Sequence, residues 1–298
     1  MSSFLYEVSS FEDYLRIVKD EISIKKPFYR GQGKRVTDGY QLWPSLARYD
    51  YLKIKTVTEL SEIEQRVLAT FSNHVIAHIN HIPRNDWEML ALAQHHGLPT
   101  RFMDWTTNPL VALYFATRET EEDKDGNSID SAVYVLVQEP VTYSALKTKR
   151  SKKSDNAPEQ KETEQEENNG DPYSQYGLEN ESNSSDEPKK GQKPESKQQI
   201  EPPFDLSPFE ISVNVIYEPP HVSARIRAQD GVLLACFNPL SPLEEKDYLE
   251  IVINAKSHDS IRKRLNLYGV FDKQLFPDLD GMAKWLKFHE FECQNGVT

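Results

Sequence analysis

LALAQHHGLPTRFMDWTTNPLVALYFA, residues 90–116, closes one helix and opens another. Gly97 stands where a helix ends in a left-handed cap, and Asn108 followed by Pro109 supplies an N-cap and a first-turn proline. Residues 98–107 are therefore expected to form a loop between two helix ends. That places Asp104, Trp105 and Thr106 just ahead of a helix N-terminus, whose free N–H groups favour an anionic ligand.

Upstream, NDWEMLALAQHHG is the helix that Gly97 ends, and TVTELSEIEQRVLATFSNHVIAHIN repeats apolar residues at three- and four-residue spacing as a long amphipathic helix. SSFEDYLRIVKDEI opens with a serine cap and predicts a first helix, and the apolar run through Phe28 and Tyr29 predicts a strand. Downstream, SAVYVLV, EISVNVIYEP and DYLEIVIN read as strands, RIRAQDGVLLACF as a turn into a strand, and SHDSIRKRLNLYGV and LDGMAKWLKFHE as helices. The fold class expected is α+β. From Lys147 to Gln199 the chain has no Val, Ile, Phe, Trp or Met, and Leu178 is its one large aliphatic residue. Residues 147–203 are thus expected to be a disordered, charged insertion in one folded unit spanning 1–298.

No window approaches a membrane span, and the N-terminus lacks a basic region followed by an apolar run, so a cytoplasmic protein with no membrane partner is expected. Cys236 and Cys293 lie far apart without metal-ligand spacing and read as reduced thiols. A net charge of −12 argues against a nonspecific coat for nucleic acid, yet residues 24–56 carry eight basic residues against two acidic ones. That stretch is a candidate surface for a dinucleotide or a nucleic-acid strand. His74, His78 and His81 share helical spacing, but no HExxH completes a hydrolytic metal centre, and no metal is expected. GxGxxG, Walker A and GxSxG motifs are absent.

Two further stretches carry candidate chemistry. FYRGQ, residues 28–32, puts Arg30 at the end of a strand beside Gly31, a glycine that would let a ligand approach the backbone. ARIRAQDGVLLACF crowds Arg225, Arg227 and Gln229 ahead of a strand. Taken in order with residues 90–116 and with YGVFDKQLFPDLDGMAKWL (268–286), these blocks resemble the FRG domain, named for its Phe-Arg-Gly motif.

The FRG blocks are in turn distantly similar to ADP-ribosyltransferases, with a split β-core, an arginine on the first strand, a Ser-Thr-Ser motif before a helix and a glutamate on a later strand. The resemblance implies NAD as substrate. It puts Arg30, with Gly31 and Gln32, at the NAD phosphate or ribose, and Asp104-Trp105-Thr106 at the Ser-Thr-Ser position. Trp105 and Tyr114 would form the nicotinamide pocket, Thr106 and Asn108 would hydrogen-bond the ligand, and Arg227 would bind the nucleotide, while the residues themselves offer His95 or His96 as a lining of that cleft. Gln229-Asp230-Gly231 falls at the glutamate motif, so the catalytic set is Arg30, Gln229 and Asp230. The departure there is that Gln229 carries no charge, which leaves Asp230, or Glu62 or Glu64 from elsewhere, to serve as the carboxylate. The implied activity is that of a toxin or anti-phage effector that modifies a nucleic-acid acceptor, RNA in particular, or a protein, and that is held by a neutralising antitoxin. The alternative is a non-catalytic nucleotide-, nucleic-acid- or protein-binding module on the same fold.

Overall fold

The computed structural model describes residues 5–79, 82–137, 140–146, 206–220 and 224–292. The expected insertion, residues 147–203, together with His81 and Cys293, lies outside them.

Ser10 begins the first helix as its sequence predicts, its Oγ accepting from the Asp13 amide at 3.0 Å, and α1 runs Phe11–Asp20. Asn85 caps α3 (Asp86–His95) in the same way, and Asn108 caps α4 (Pro109–Thr117). The long amphipathic run forms α2 (Val57–Val75), tightening to a 3-10 turn at Ile76–His78. Beyond the insertion stand α5 (Ala224–Ala228), α6 (His258–Leu267), α7 (Asp272–Leu275) and α8 (Leu279–Lys287). No helix among the described residues is long and apolar enough to cross a membrane.

Eight strands among the described residues make one mixed sheet: β1 (Leu5–Val8), β2 (Tyr29–Gln32), β3 (Phe102–Thr106), β4 (Ser131–Leu136), β5 (Val141–Thr142), β6 (Val215–Tyr217), β7 (Gly231–Ala235) and β8 (Tyr248–Ile253). Their order is β1-β8-β4-β2-β3-β7-β6-β5, with β1 parallel to β8, β5 parallel to β6 and the other pairs antiparallel. The chain is α+β, as its pattern indicates.

Two segments differ from their sequence reading. The expected loop at 98–107 contains β3, a central strand. Phe102, Met103 and Trp105 bury there, and all five residues of β3 pair with β7. The stretch ahead of β7 is a short helix, α5, and not a turn alone.

On one face, α1, α4 and α6 pack Phe11, Tyr14, Leu113 and Ile261 against Tyr29, Val133 and Ile251 of the sheet. The Tyr14 hydroxyl donates to the Pro109 carbonyl at 2.8 Å and ties α1 to the start of α4. A second cluster sets Met103, Trp105, Tyr134 and Leu234 beneath Leu42. On the β3-β7-β6 half, Trp87 of α3 lies over Phe102 and Tyr217 at 5.9 and 5.2 Å between ring centres, its Nε1–H donating to the Leu206 carbonyl.

Arg101, at the head of β3, is fully buried. Its Nε and Nη2 donate to Glu64 Oε2 of α2 at 2.9 and 2.6 Å, and its amide donates to Glu64 Oε1. Nη1 donates to the Pro208 carbonyl and Nη2 also to Ser61. One guanidinium thereby joins α2, β3 and the chain that follows the insertion, and burial of both charges is tolerated because every group has a partner.

Candidate functional site

Strand β2 pairs with β4 along its whole length, and β3 pairs with β7 along its whole length, but β2 and β3 meet at a single pair, Tyr29 with Thr106. Past that pair the two central strands part. Arg30 fills the gap, its Nη1 donating to the Asp104 carbonyl that a continuous ladder would have engaged and its Nη2 to the Tyr40 hydroxyl at 3.3 Å. With its amide turned to satisfy its neighbours, Gln32 accepts from Arg30 Nε, Arg30 Nη2 and the Tyr40 hydroxyl, each at 2.9 Å. Four of the five guanidinium N–H groups are so engaged, which leaves one on Nη1 to donate to a ligand.

A cleft of about 250 Å³ opens where the strands part. Its lining brings together Arg30, Gly31 and Gln32 of β2, Asp104, Trp105 and Thr106 of β3, and Gln94 and His95 of α3; Phe115 of α4 and Arg225 and Gln229 of the α5 segment close it. Segments far apart in the sequence therefore converge on one site.

Asp104 is the one carboxylate among the lining residues. It is exposed and accepts from Gln94 Nε2 at 2.7 Å, while the Gln94 oxygen accepts from the Thr100 hydroxyl. Glu64, a candidate carboxylate on sequence grounds, is sequestered by Arg101, and Glu62 sits exposed on α2; neither lines the cleft. His95, at the C-terminal end of α3, is held below the ordinary histidine pKa by burial and then by the charges of His96 and Arg225. Trp105 is 3% exposed, and its indole N–H is buried with no hydrogen-bond partner.

Several predicted ligand groups are committed elsewhere. The Thr106 hydroxyl donates to the Gln229 carbonyl at 2.7 Å and accepts from the Asn108 amide. Asn108 caps α4 through Oδ1 and donates through Nδ2 to Asp230 at 3.1 Å. Gln229 lines the cleft, but its amide nitrogen donates to the Leu275 carbonyl at 3.1 Å. Asp230 is an exposed turn residue with φ of 44°, outside the cleft lining. Arg227 is exposed and is not among the cleft lining, whereas Arg225, two residues earlier on the short helix, lines the cleft and lies 4.6 Å from the Phe276 ring centre. Tyr114 faces a different cavity on the far side of α4; its neighbour Phe115 faces the cleft.

Gly31 has a packing reason that its sequence setting conceals. A Cβ there would meet the Ala112 carbonyl oxygen at 1.8 Å and the Ala116 nitrogen at 2.7 Å, so the missing side chain makes room for α4 and not for a ligand. Gln94 and Phe115 are site residues beyond those the sequence points to, and the helix period of LALAQHH, which sets Ala91, Gln94 and His95 on one face, is the signal that finds the first.

Four of the eight basic residues in 24–56 are ion-paired. Arg35 pairs with Glu250 at 3.0 Å, Lys34 with Glu121 at 3.4 Å, Lys53 with Asp50 at 2.7 Å and Lys55 with Glu59 at 3.3 Å. Counting the three partners outside the stretch, Glu121, Glu250 and Glu59, its surplus of six positive charges falls to three.

Residues 25–125 match the family model of the FRG domain. The match takes in the FYRG block and residues 90–116, and the sheet those blocks enter is completed by β1 and by β4 to β8 from outside it. No curated protein and no solved structure matches the chain.

Proposed function

Starting from a chain that carries an FRG domain, we propose that its cleft binds NAD and transfers ADP-ribose to a nucleic-acid or protein acceptor. The observation that carries this reading is the parting of β2 and β3, which sets the Arg30 guanidinium and the Asp104 carboxylate in one cleft. In the proposed reaction the remaining N–H of Arg30 and the Arg225 guanidinium hold the diphosphate. The bond between ribose C1′ and the nicotinamide nitrogen breaks, its electron pair leaving with neutral nicotinamide. Asp104 stabilises the oxocarbenium character that develops on the ribose, the part that the resemblance gives to Gln229 or Asp230. An oxygen or nitrogen of the acceptor bonds to C1′ and passes its proton to His95, which its surroundings keep neutral near pH 7.

The test is to mix the purified protein with labelled NAD and cell lysate and to follow the label into protein, RNA and DNA. Label in one fraction that is lost with Arg30→Ala supports transfer and gives the acceptor class.

A second reading, a binding module without transferase activity, is favoured by the glutamate-motif position. There Gln229 is engaged by Leu275 and Asp230 lies outside the cleft. NAD bound without label transfer selects it.

A further inference from the structure

A second cavity, of about 510 Å³, lies on the far side of α4, between the end of that helix, α6, the turn at 270–272 and α8. Arg118, Arg262, Lys284 and Lys287 line it beside Phe271 and Trp285. Two carboxylates, Glu119 and Asp272, line it as well, which leaves an excess of two positive charges in a chain whose net charge is −12. The cavity shares no lining residue with the cleft.

These cations differ in how far they are committed. Arg118 pairs with the exposed Glu119 at 3.1 Å. Arg262 is fixed by donation from Nη1 to the Arg118 carbonyl at 2.9 Å and from Nη2 to the Asp259 carboxylate, and its Nε–H is buried without a partner. Lys284 makes no ion pair among the described residues. Lys284 and Arg118 are the cations that an oxyanion entering the cavity can meet, the Arg262 Nε–H being sealed from solvent.

The aromatic half of the wall is also ordered. The Trp285 and Phe271 rings lie 5.9 Å apart at 37°, and the Lys273 ammonium sits 5.1 Å from the Trp285 ring centre. Asn266 adds an amide that can both donate and accept. The volume falls within the range of small-ligand sites.

We propose that this cavity is a mononucleotide site, taking the phosphate on Lys284 and Arg118 and the base against Trp285 and Phe271. A base supplies the flat apolar surface that the aromatic wall accepts, and the phosphate supplies the charge that the cations lack. The site is independent of the chemistry assigned to the cleft.

The full chain is titrated calorimetrically with AMP, adenosine and inorganic phosphate, each alone, at 150 mM salt. AMP is expected to bind at least tenfold more tightly than either fragment. Lys284→Glu, at an exposed position that leaves the fold intact, is expected to weaken AMP at least tenfold, while Arg30→Ala in the cleft leaves it unchanged. Should Arg30→Ala not fold, Asp104→Asn at its exposed position serves as the cleft variant. AMP that binds no better than phosphate overturns the proposal, as does the absence of AMP binding at millimolar concentration. Binding that survives Lys284→Glu but is lost with the cleft variant assigns AMP to the cleft and equally overturns it.

Discussion

Gly31 and Ala112 are in backbone contact: strand β2 crosses α4 so closely that a single added carbon at Gly31 would lie 1.8 Å from the Ala112 carbonyl oxygen. Rotamer change cannot relieve a clash with a main-chain atom. Gly31→Ala is therefore expected to cost about 3 kcal/mol, at the upper end of overpacking effects, measured as a lowered urea midpoint with an unchanged slope.

Arg101 and Glu64 form a buried pair in which neither charge has water to fall back on. Arg101→Met leaves the Glu64 carboxylate uncompensated and is expected to destabilise by about 3–5 kcal/mol. Arg101→Met combined with Glu64→Leu removes both charges and is expected to recover most of that loss. A double variant as unstable as the single one would show that the Pro208 and Ser61 contacts, and not the stranded charge, dominate.

Arg30 both bridges the parted strands and presents its last N–H to the cleft. Arg30→Lys keeps the charge but loses the fork that meets Asp104, Tyr40 and Gln32 together. NAD affinity is expected to fall roughly tenfold to hundredfold, the worth of charge-assisted hydrogen bonds, with circular dichroism unchanged.

The carboxylate assignment separates Asp104 from Asp230. Asp104→Asn is expected to lower label transfer by roughly a hundredfold or more, as loss of a transition-state stabiliser does, while Asp230→Asn leaves the rate within a few fold. Single-turnover rates at saturating NAD distinguish the two, and the opposite ranking would return the role to the glutamate-motif position.

His258 gives the fold a dependence on pH. Its ring is fully buried, with Nδ1 at 3.0 Å from the Thr120 hydroxyl and Nε2 at 2.9 Å from that of Ser131. Burial holds its pKa below the ordinary value, and the Arg262 charge adds to this against the opposing pull of the Ile253 backbone, Asp130 and Asp259. The unfolded chain then binds the proton more readily, so this contribution to stability is present above about pH 6.5 and is lost as pH falls from there toward the lowered folded value. Denaturation midpoints measured between pH 8 and pH 5 should fall less steeply in His258→Gln than in the parent chain.

Much of the architecture is local and was legible. Ser10 and Asn108 announce the helices they cap, and the β-branched run at 131–136 announces a buried strand. β3 was obscured because helix-stop and helix-start signals crowd its two ends, and the evidence that it is a strand lies in β7, more than a hundred residues later. β1 is a four-residue edge strand whose parallel partner, β8, stands near the other end of the chain. At the site, Arg30, Asp104 and His95 were named from residue type and setting. The commitment of Thr106, Asn108 and Gln229 to structural hydrogen bonds, and the binding of Glu64 by Arg101, depend on partners that no local pattern reveals.

The sheet order also sets a schedule for the nascent chain. β2 and β4 can pair as soon as residue 136 has emerged, but the partners that flank β3 and β4, namely β7 and β8, begin only at residues 231 and 248. At ribosomal speeds of about 5–20 residues per second, the intervening synthesis lasts roughly 5 to 20 seconds. Throughout that interval two apolar strands have unpaired edges, the state most prone to pairing with another chain. Production of the intact sheet therefore depends on how that wait is passed, and slower translation through residues 137–230 should increase the share of chain lost to aggregation.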